Sequence, residues 1–581
     1  MSERIFIGVA WPYANGPLHL GHIAGAYLPP DIFARYHRAK GNEVLMVSGS
    51  DQHGTPITLR AEQEGKKPSE IAARYHQQFL DSWQKLGISF DLFTSTNTAN
   101  HTEVTHDIFC NLLDKGYIYK STMSQPFCSQ CRRFLPDRYL EGTCPYCHSS
   151  GARGDQCDEC GKPINAVELI DPKCRQCGTA PQFKDSEHYF LKLAAFEEKL
   201  LDWVRQQKHW RQNVLNFTTR YLEGGLKDRA ITRDIEWGVP VPVEGFETKR
   251  IYVWFEAVIG YLSASKEWAK SAGDGEKWRL FWEKDNGAKS YYFIGKDNIP
   301  FHTIIWPAML MGCGDLNLPY DVPSNEFLTI EGRKLSTSQN WAVWLPDYLE
   351  RYDPDPLRYL LAINMPETGD TDFSWHEFVR RNNNELVATY GNLVHRVLTF
   401  VYKNFNGCVP EHSKYSEIRE YLESIDPQKD LVKSRTNILD DSSIKVIEDA
   451  KEHLFREMDD HLYNCQFKQA IMTAMQVAHE TNRYLDEKSP WKVIKEDRQA
   501  AADSLYVALY IISCLKTVLY PFLPFSSQKV HEYLGFEGKV EDYGWKLNPP
   551  LPGQKLLPPQ SLFTKMDEGL VEEETSRLGH A

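Results

Sequence analysis

The chain has 581 residues, enough for about three or four domains at a usual size of roughly 150 residues each. Its hydrophobic share of 42% and charged share of 25% fit a soluble globular protein that buries real cores. The net charge of −13 argues against a protein whose whole surface binds nucleic acid, although it allows a local basic face.

Neither a secretory signal nor a membrane span is predicted. Met1–Val9 lacks a basic lead followed by an apolar stretch. Leu505–Leu515 is apolar but shorter than the ~20 residues of a spanning helix, and Lys516 and Pro521 end it. We therefore expect a cytoplasmic protein, whose thirteen cysteines are thiols or metal ligands rather than disulfides.

The N-terminal part of the chain alternates predicted strands with predicted helices. Arg4–Val9 is predicted as a short buried strand and Glu43–Ser48 as a second one, with a helical pattern through Lys40 between them. Ser69–Leu86 has the periodicity of an amphipathic helix, with Ser69 as its N-cap. Strand alternating with helix is typical of a parallel α/β sheet.

The alternation stops near Tyr119 and returns later in the chain. Residues 128–177 are rich in Cys, Gly, Pro and charge, which predicts an insertion. Strands that lead into helices are predicted again at Arg250–Phe255 and Lys289–Gly295. The α/β domain is therefore expected in two halves, one on each side of the insertion.

Beyond His376 only helical periodicity remains, which predicts a C-terminal helix bundle. The tail from Pro549 is rich in proline and then acidic, and we expect it to be only partly ordered. The periodic segments are Phe378–Phe405, Ser443–Tyr463, Gln466–Asp486 and Ala500–Tyr520.

The first chemical motif, Pro17-Leu-His-Leu-Gly-His22, follows a predicted strand at the start of a helix; we call it the histidine motif. His19 and His22 are three residues apart and share one helix face, and Gly21 allows a ligand to approach the backbone. The helix N-terminus is a natural phosphate site, where two imidazoles can donate hydrogen bonds. Taken alone, the motif could equally be two surface histidines beside a turn.

A second motif, Glu331-Gly-Arg-Lys-Leu-Ser-Thr-Ser338, lies far along the chain; we call it the lysine loop. A glycine followed by basic and then hydroxyl residues suits a mobile loop that binds a polyphosphate. Taken alone, an ordinary polar surface loop explains it better.

In this order and placement, the two motifs resemble the His-Ile-Gly-His and Lys-Met-Ser-Lys-Ser signatures of class I aminoacyl-tRNA synthetases. The resemblance implies a Rossmann-like domain in which an amino acid carboxylate attacks the α-phosphate of ATP and pyrophosphate leaves. It puts catalysis on His19, His22 and Lys334, with Mg²⁺ on the phosphates. Thr337 stands where the signature has its second lysine, so Lys334 must carry most of the loop's charge. The implied ATP-binding residues are His19, Gly21, His22, Gly295, Asp297, Lys334 and Thr337.

Four segments resemble the methionine enzymes of this class: Ala10–Gly16, Ser50–Pro56, Tyr252–Tyr261 and Phe293–His302. A thioether has no strong hydrogen-bonding group, so aromatic and aliphatic walls must recognise it, while a carboxylate at Asp51 would hold the ammonium. The resemblance reaches about Leu534 and implies a pocket of Ala10, Trp11, Tyr13, Asp51, Trp254, Ala257, Val258, Tyr261, Asn298 and His302.

The chain departs from the family at three pocket positions. Trp11 stands where leucine is common, Val258 where proline is common and Asn298 where isoleucine is common. Without the resemblance, Trp254 and Tyr261 would more often be core residues.

Other functions explain less of the sequence. The isoleucine, leucine and valine enzymes carry large editing insertions between the two halves. Here the interval from Tyr119 to Ala230 is mostly taken up by the cysteine cluster. The cysteine enzyme needs zinc in its pocket, and outside the cluster the catalytic region has only Cys110 and Cys313. A nucleotidyltransferase that does not charge tRNA, or a non-catalytic zinc-containing nucleic-acid-binding protein, would leave one or more of the motifs unused.

Eight cysteines form four C-x-x-C pairs between Cys128 and Cys177. Two such turns complete a tetrahedral S₄ zinc site, but spacing alone does not decide which pairs combine. The family resemblance implies two nested structural knuckles with one zinc ion each. The inner knuckle is Cys144, Cys147, Cys157 and Cys160, and the outer one is Cys128, Cys131, Cys174 and Cys177.

The predicted bundle carries a candidate RNA-binding surface. Asn392 and Arg396 are four residues apart and face the same way, while Pro490 ends a helix and presents Trp491. An exposed tryptophan can stack on an unpaired base, and Asn and Arg can read base edges. The family resemblance implies that these residues recognise the methionine anticodon. The alternative is helix packing for Trp491 and a solvated face for Arg396.

The predicted fold is a Rossmann-like class I synthetase catalytic domain with an inserted zinc-knuckle domain, followed by an all-α anticodon-binding bundle. We expect ATP, L-methionine and tRNA(Met) as partners, no membrane, and a monomer, since no dimerisation domain is seen after the bundle. The expected boundaries are 1–118 and 231–325 for the two catalytic halves, 119–230 for the insertion, 326–376 for a stem-contact region, 377–548 for the bundle and 549–581 for the tail.

Overall fold

The structure, a computed structural model, describes residues 2–154, 157, 159–160, 164, 166–337, 339–424 and 442–580. Its central sheet has five parallel strands, in the spatial order Ser324–Asn325, Lys289–Gly295, Arg4–Val9, Glu43–Ser50 and Leu92–Ser95. Chain order reverses at Arg4–Val9, because the next strand pairs on one side of it and a much later strand on the other. Such a switch point opens a crevice at the carboxyl ends of the strands.

The α/β class is confirmed, and strands are found at the three predicted places Arg4–Val9, Glu43–Ser50 and Lys289–Gly295. Helices cover the sheet: Leu20–His22 leads through a π-helical stretch, Ile23–Tyr27, into Leu28–Ala39. The others are Thr55–Glu64, Pro68–Leu86, Ala99–Asp114, Val253–Ser271, Arg279–Trp282, the π-helical Phe301–Ile305 and Trp306–Cys313, with 3₁₀ turns at Lys284–Asn286 and Lys296–Asn298.

Two local predictions need correction. Ser69 is not an N-cap, since the helix begins at Pro68 after Lys67; proline suits the first helical position because no N–H bond is needed there. The segment Arg250–Phe255 is a strand only at Arg250–Ile251, and a helix starts at Val253. An apolar run this short does not distinguish a strand from a buried helix.

The predicted insertion is built on antiparallel strands. Its larger sheet has the order Arg229–Ala230, Gln182–Leu191, Ile118–Cys128 and Arg133–Phe134, and the smaller one Ser150–Arg153, Leu140–Thr143 and Ile170–Cys174. Thr232–Arg233 pairs with Arg250–Ile251 where the chain returns to the catalytic domain. The helical elements are Asp137–Tyr139, Ala166–Glu168, Leu193–Phe196, Glu197–Gln206 and Gln212–Glu223.

The lysine loop belongs to a small sheet that follows the central one. This sheet has the order Arg333–Lys334, Leu328–Ile330 and Thr371–Phe373, and the helices Leu345–Arg351 and Pro354–Ile363 lie between its strands in sequence.

Helices alone follow Thr371–Phe373 in the described residues up to 580, so the predicted bundle is confirmed. Arg498–Leu519 is long and apolar enough for a membrane span, but 94% of its most apolar window is buried, as in a core helix. The bundle helices are Trp375–Arg381, Asn382–Gly391 (π-helical), Asn392–Asn404, Tyr415–Ser424, Ser442–Glu452, His453–Glu457 (π-helical), Met458–Tyr463, Phe467–Lys488, Pro490–Val493, Arg498–Leu519 and Pro524–Tyr533, with a 3₁₀ turn at Val540–Tyr543.

The tail differs from the prediction of partial order. It returns across the bundle, where Leu562 and Phe563 are buried, and ends in the helix Gly569–Ser576. Glu574 of this helix is buried against Arg351, to which it is ion-paired. A few apolar side chains spaced among prolines and acids are enough to dock the segment, which composition alone does not reveal.

Candidate active site

The histidine motif turns the chain from the first strand into the first helix. His19 is extended (φ −121°, ψ 168°) and precedes the helix that begins at Leu20. The backbone N–H of His19 donates to Nδ1 of His22 at 3.2 Å, and the two rings stack with centroids 3.7 Å apart. Because Nδ1 of His22 accepts this bond, its proton lies on Nε2, which is the ring's donor.

Both imidazoles are neutral near pH 7. Burial lowers the pKa of His22 to about 4, and burial together with the nearby His22 holds the pKa of His19 well below its usual range. Nδ1 of His19 is buried without a hydrogen-bond partner. An unpaired buried nitrogen costs free energy that a polar ligand atom would recover. The motif is therefore arranged to meet hydrogen-bonding atoms rather than to carry charge.

The lysine loop folds back over the histidine motif. Its strand Arg333–Lys334 pairs antiparallel with Leu328–Ile330, which brings Leu335 onto Gly21. A Cβ added to Gly21 would lie 2.5 Å from Cδ1 of Leu335. The absence of a side chain at Gly21 thus permits close contact between the two predicted motifs.

The charged and hydroxyl groups of the loop face solvent. Lys334 and Thr337 are exposed, and Ser338 lies outside the described residues. Burial would raise the pKa of Asp370, but a backbone N–H and the ammonium groups of Lys296 and Lys334 lower it. The Lys334 ammonium is therefore close enough to Asp370 to act on its charge.

Gly295 and Asp297 lie at the same edge of the sheet as the histidine motif. Gly295 ends its strand beside Asn325, and a Cβ on it would meet nothing within 4 Å. Asp297 follows in the 3₁₀ turn Lys296–Asn298 and is exposed. Both residues thus border open space at the switch point.

A single cavity brings together the residues predicted for amino acid recognition. Its lining comes from the carboxyl ends of three neighbouring strands of the central sheet and from the helices Val253–Ser271 and Phe301–Ile305. All ten predicted residues line it, namely Ala10, Trp11, Tyr13, Asp51, Trp254, Ala257, Val258, Tyr261, Asn298 and His302, together with the unpredicted Val253 and Phe301.

Polar groups on the far wall of the cavity satisfy one another. The Tyr261 hydroxyl donates to Nε2 of His302 at 2.7 Å, and Nδ1 of His302 donates to the carbonyl of Asn298 at 2.9 Å. Tyr261 and His302 are buried, and burial lowers the pKa of His302 to about 4. Tyr261 and His302 therefore present rings rather than unpaired donors, whereas the buried Nε1 of Trp11, elsewhere in the lining, has no hydrogen-bond partner among the described residues.

A buried carboxylate network lies behind Asp51, and sequence reasoning missed it. Glu256 is fully buried, and its two oxygens contact Nδ1 of His53 at 2.8 Å and Nε2 of His101 at 2.5 Å. Burial would raise the pKa of Glu256, but these histidines lower it to about 2. Asp51 accepts a backbone N–H of His53, while burial and the charge of Glu256 raise the pKa of Asp51 well above its usual range.

The eight cysteines form two groups, in the nested pairing that the resemblance implied. The Sγ atoms of each group lie within 4.8 Å of one another. Tetrahedral zinc with Zn–S bonds of about 2.3 Å needs S···S separations near ~3.8 Å. The closest pairs, Cys128 with Cys177 at 3.4 Å and Cys147 with Cys157 at 3.6 Å, come near that separation. The groups are Cys128, Cys131, Cys174 and Cys177, and Cys144, Cys147, Cys157 and Cys160.

The bundle brings the predicted RNA-binding side chains together. The guanidinium carbon of Arg396 lies 3.5 Å from the centroid of the Trp491 ring, and Nη2 contacts Asp486 at 2.8 Å. Asn392 is exposed on the same helix, one turn earlier. Pro490 is buried at the start of a short helix and holds Trp491 half-buried. The Trp491 ring therefore packs partly against the bundle, and the rest of the ring is accessible.

Comparisons with known proteins identify the family of the chain. A family model for class I tRNA synthetases (M) matches residues 5–398, and one for the anticodon binding domain of methionyl tRNA ligase matches residues 437–581. The methionine–tRNA ligase of Dehalococcoides mccartyi is 62% identical over 579 residues, covering 100% of both chains. That of Thermomicrobium roseum is 51% identical and covers 100% of this chain and 99% of its own.

A solved structure of a methionyl-tRNA synthetase has the same fold as this chain. Mycobacterium tuberculosis methionyl-tRNA synthetase in complex with methionyl-adenylate superposes with a TM-score of 0.76 at 25% identity. The superposition covers 97% of this chain and 100% of that chain.

Proposed function

The chain belongs to the methionyl-tRNA synthetases of class I, and from this premise we propose how its own residues perform the reaction. The reaction is the ATP-dependent activation of methionine to methionyl-adenylate, followed by transfer to the terminal adenosine of tRNA(Met). The observation that carries the proposal is the single cavity lined by all ten residues predicted for methionine.

Methionine binds with its side chain against the wall formed by Tyr261 and His302. Each polar atom of that wall already has a partner, so a ligand needs no hydrogen bond there. A thioether offers only a weak acceptor and gains contact with polarizable rings. A side chain with strong donors would lose its water without replacement, which favours methionine over polar amino acids of similar length.

The substrate ammonium binds Asp51, whose side chain is buried at the carboxyl end of the strand Glu43–Ser50. Without a ligand, burial and the charge of Glu256 raise the pKa of Asp51. An ammonium within contact distance lowers that pKa again, because it stabilises the charged carboxylate. Glu256, held by His53 and His101, keeps the neighbouring backbone in place.

A carboxylate oxygen of methionine attacks the α-phosphorus of ATP, the bond from that phosphorus to the bridging oxygen breaks, and pyrophosphate leaves. His19 and His22 donate hydrogen bonds to phosphate oxygens as neutral imidazoles, and Lys334 neutralises charge from the loop. Gly21, Gly295 and Asp297 line the nucleotide's path, and Thr337 adds a hydroxyl. Mg²⁺ carried by the ATP phosphates would supply further positive charge.

Each cysteine group holds one zinc ion, and both sites are structural. Four thiolates leave no open position for a substrate, so these ions shape the insertion rather than react. Metal analysis of the purified protein should find two equivalents of zinc. Replacement of Cys147 by Ser should lower this to one, whereas Cys313→Ser, outside both groups, should leave two.

Asn392, Arg396 and Trp491 bind the anticodon, with Pro490 fixing the position of the tryptophan. The partly exposed Trp491 ring, backed by Arg396, can stack on an unpaired base. We also propose that the enzyme works as a monomer in the cytoplasm; a sedimentation mass of two chains would contradict the first part.

Methionine-dependent exchange of pyrophosphate into ATP tests the proposal across the standard amino acids. We expect exchange with methionine alone, and its loss in His22→Ala and Lys334→Ala. His376→Ala, at a side chain that is 75% exposed, is the matched control and should retain exchange. Exchange with another amino acid instead would refute the pocket assignment, and no exchange by folded protein would refute the activity.

A further inference from the structure

Arg211 occupies a junction between four segments of the chain. It precedes the insertion helix Gln212–Glu223, and its guanidinium reaches away from that helix. Nη1 contacts the Ser324 carbonyl at 3.1 Å, the Asn325 Oδ1 at 2.6 Å and the Glu367 carbonyl at 3.4 Å. Nη2 contacts the Cys465 carbonyl at 2.8 Å. One side chain thereby joins the insertion, the sheet, the region after it and the bundle.

On the catalytic side, Arg211 orients the side chain of Asn325. Asn325 is buried, and its Nδ2 donates to the carbonyl of Ala24 at 2.9 Å. Ala24 lies two residues after His22, in the π-helical stretch of the same helix. Asn325 also pairs with Gly295 across the sheet. Asn325 therefore meets two parts of the nucleotide site, Ala24 through its side-chain amide and Gly295 through its strand. Arg211 fixes which end of that amide faces Ala24.

On the bundle side, Arg211 contacts the turn that starts the helix Phe467–Lys488. Cys465 in this turn is buried with φ +54°, a left-handed conformation rare for residues other than glycine. The half-buried Glu367 accepts the N–H of Lys468, in the helix's first turn, at 3.1 Å. Both contacts fix the start of this helix.

The helix Phe467–Lys488 has 22 residues and is therefore about 33 Å long. Its other end carries Asp486, which contacts Arg396, and leads directly to Trp491. One rigid element thus runs from the proposed anticodon contacts to the guanidinium of Arg211.

We propose that Arg211 is the positioning residue through which anticodon docking on the bundle promotes catalysis at the nucleotide site. A shift of the helix moves the Cys465 carbonyl, and the planar guanidinium passes that shift to Asn325 because its bonds share one rigid fork. Lysine has a single ammonium on a flexible stem and would transmit less. The inference rests on the proposed function, since it requires that Trp491 and Arg396 bind the anticodon.

Charging of two RNAs tests this coupling: whole tRNA(Met), and a minihelix that has the acceptor stem but no anticodon. For Arg211→Gln we expect kcat with whole tRNA to fall about tenfold, within the roughly 5–150-fold range of couplings between sites. The minihelix kcat should change less than about twofold, and the KM for whole tRNA should stay near that of the unmodified enzyme. Arg211→Lys should show a smaller loss at an unchanged melting temperature.

Arg205→Gln is the matched control, because this exposed arginine contacts only Asp202 among the described ion pairs. It should leave both RNAs unaffected. Equal losses on whole tRNA and minihelix in Arg211→Gln would mean that Arg211 serves only local structure, and would overturn the proposal.

A double substitution with Trp491→Ala gives a second readout. In the unmodified enzyme, Trp491→Ala should raise the KM for tRNA and lower kcat. In the Arg211→Gln background it should still raise KM but lower kcat no further, because the route is already interrupted. Additive losses of kcat would overturn the coupling. Failure of the proposed function would show differently, as an absence of methionine-dependent exchange in the unmodified enzyme.

Discussion

The cavity that we propose for methionine and the lysine loop, which we propose for ATP, present their polar groups in opposite ways. In the pocket, Tyr261 and His302 are buried, and each polar atom of that wall has a protein partner. In the loop, Lys334 and Thr337 are exposed, and Lys334 is held by the backbone pairing of its strand. The fold thus fixes the wall of the cavity in advance, whereas the loop carries its positive charge at the surface, where solvent screens it.

The largest effect is expected for the buried charge. Asp51→Asn keeps the shape of the side chain but removes the charge that balances the substrate ammonium. Loss of one partner of a buried charge pair costs about 2–5 kcal/mol, so kcat/KM for methionine should fall about 30-fold or more. Pyrophosphate exchange at varied methionine concentrations measures it.

The exposed Asp81, which accepts a bond from Gln77 on its own helix, provides the control. Asp81→Asn should leave the exchange kinetics unaltered. If Asp51→Asn kept the KM for methionine near that of the unmodified enzyme, the ammonium site would lie elsewhere.

A smaller effect is expected from the wall of the pocket. Tyr261→Phe removes the hydroxyl that donates to His302 and leaves a buried acceptor unpaired, a cost of about 1–3 kcal/mol. We expect the KM for methionine to rise about tenfold. Exchange with glutamine, which has N–H donors on a side chain of similar length, should become easier to detect because Nε2 of His302 can now accept.

Tyr402→Phe, at a tyrosine that is 37% exposed, is the comparison variant and should show neither change. Unchanged discrimination against glutamine in Tyr261→Phe would show that the hydrogen bond to His302 does not determine selectivity.

Sequence reasoning succeeded where the chain repeats a pattern that physics or the family makes specific. Runs of Ile and Val predicted the strand Arg4–Val9, and the resemblance gathered pocket residues from segments far apart in sequence. It failed where a contact depends on the assembled fold. Glu256 is a carboxylate in the middle of a matched segment, and such residues are normally exposed.

Long-range contacts of single residues could not be predicted from the sequence either. The bonds of Arg211 join positions more than a hundred residues apart, and no periodicity marks them. The tail is a second case, since the burial of Glu574 against Arg351 depends on where the bundle places the end of the chain.

The exposed loop should respond weakly to added charge. Thr337→Lys restores the family's second lysine, and a charge at a solvent-exposed position contributes roughly 0.2–1 kcal/mol. We expect the KM for ATP to fall about twofold to fivefold, with less effect at high salt. Gln339→Lys places the same charge two residues further along the chain, just beyond the lysine loop, and tests whether position matters as well as charge. A change as large as that of Asp51→Asn would mean that the loop is buried during the reaction.

The smallest effect on activity is expected from mild acid, which should instead lower the stability of the folded protein through His302 in the buried wall. His302 has a pKa of about 4 in the folded protein because burial disfavours its charged form, against about 6.5 in an unfolded chain. The unfolded state therefore binds more protons between these values, so stability is complete above pH ~6.5 and is lost as pH falls toward 4. Urea midpoints should decrease from pH 7 to pH 5, and less so in His302→Gln, whereas His376→Gln should retain the full decrease.

Over the range from pH 8 to 6, in which His19 and His22 stay neutral, pyrophosphate exchange should show no titration of an imidazole. An inflection near pH 6.5 that His22→Ala removes would mean that the histidine motif acts as a cation, in the manner of the loop.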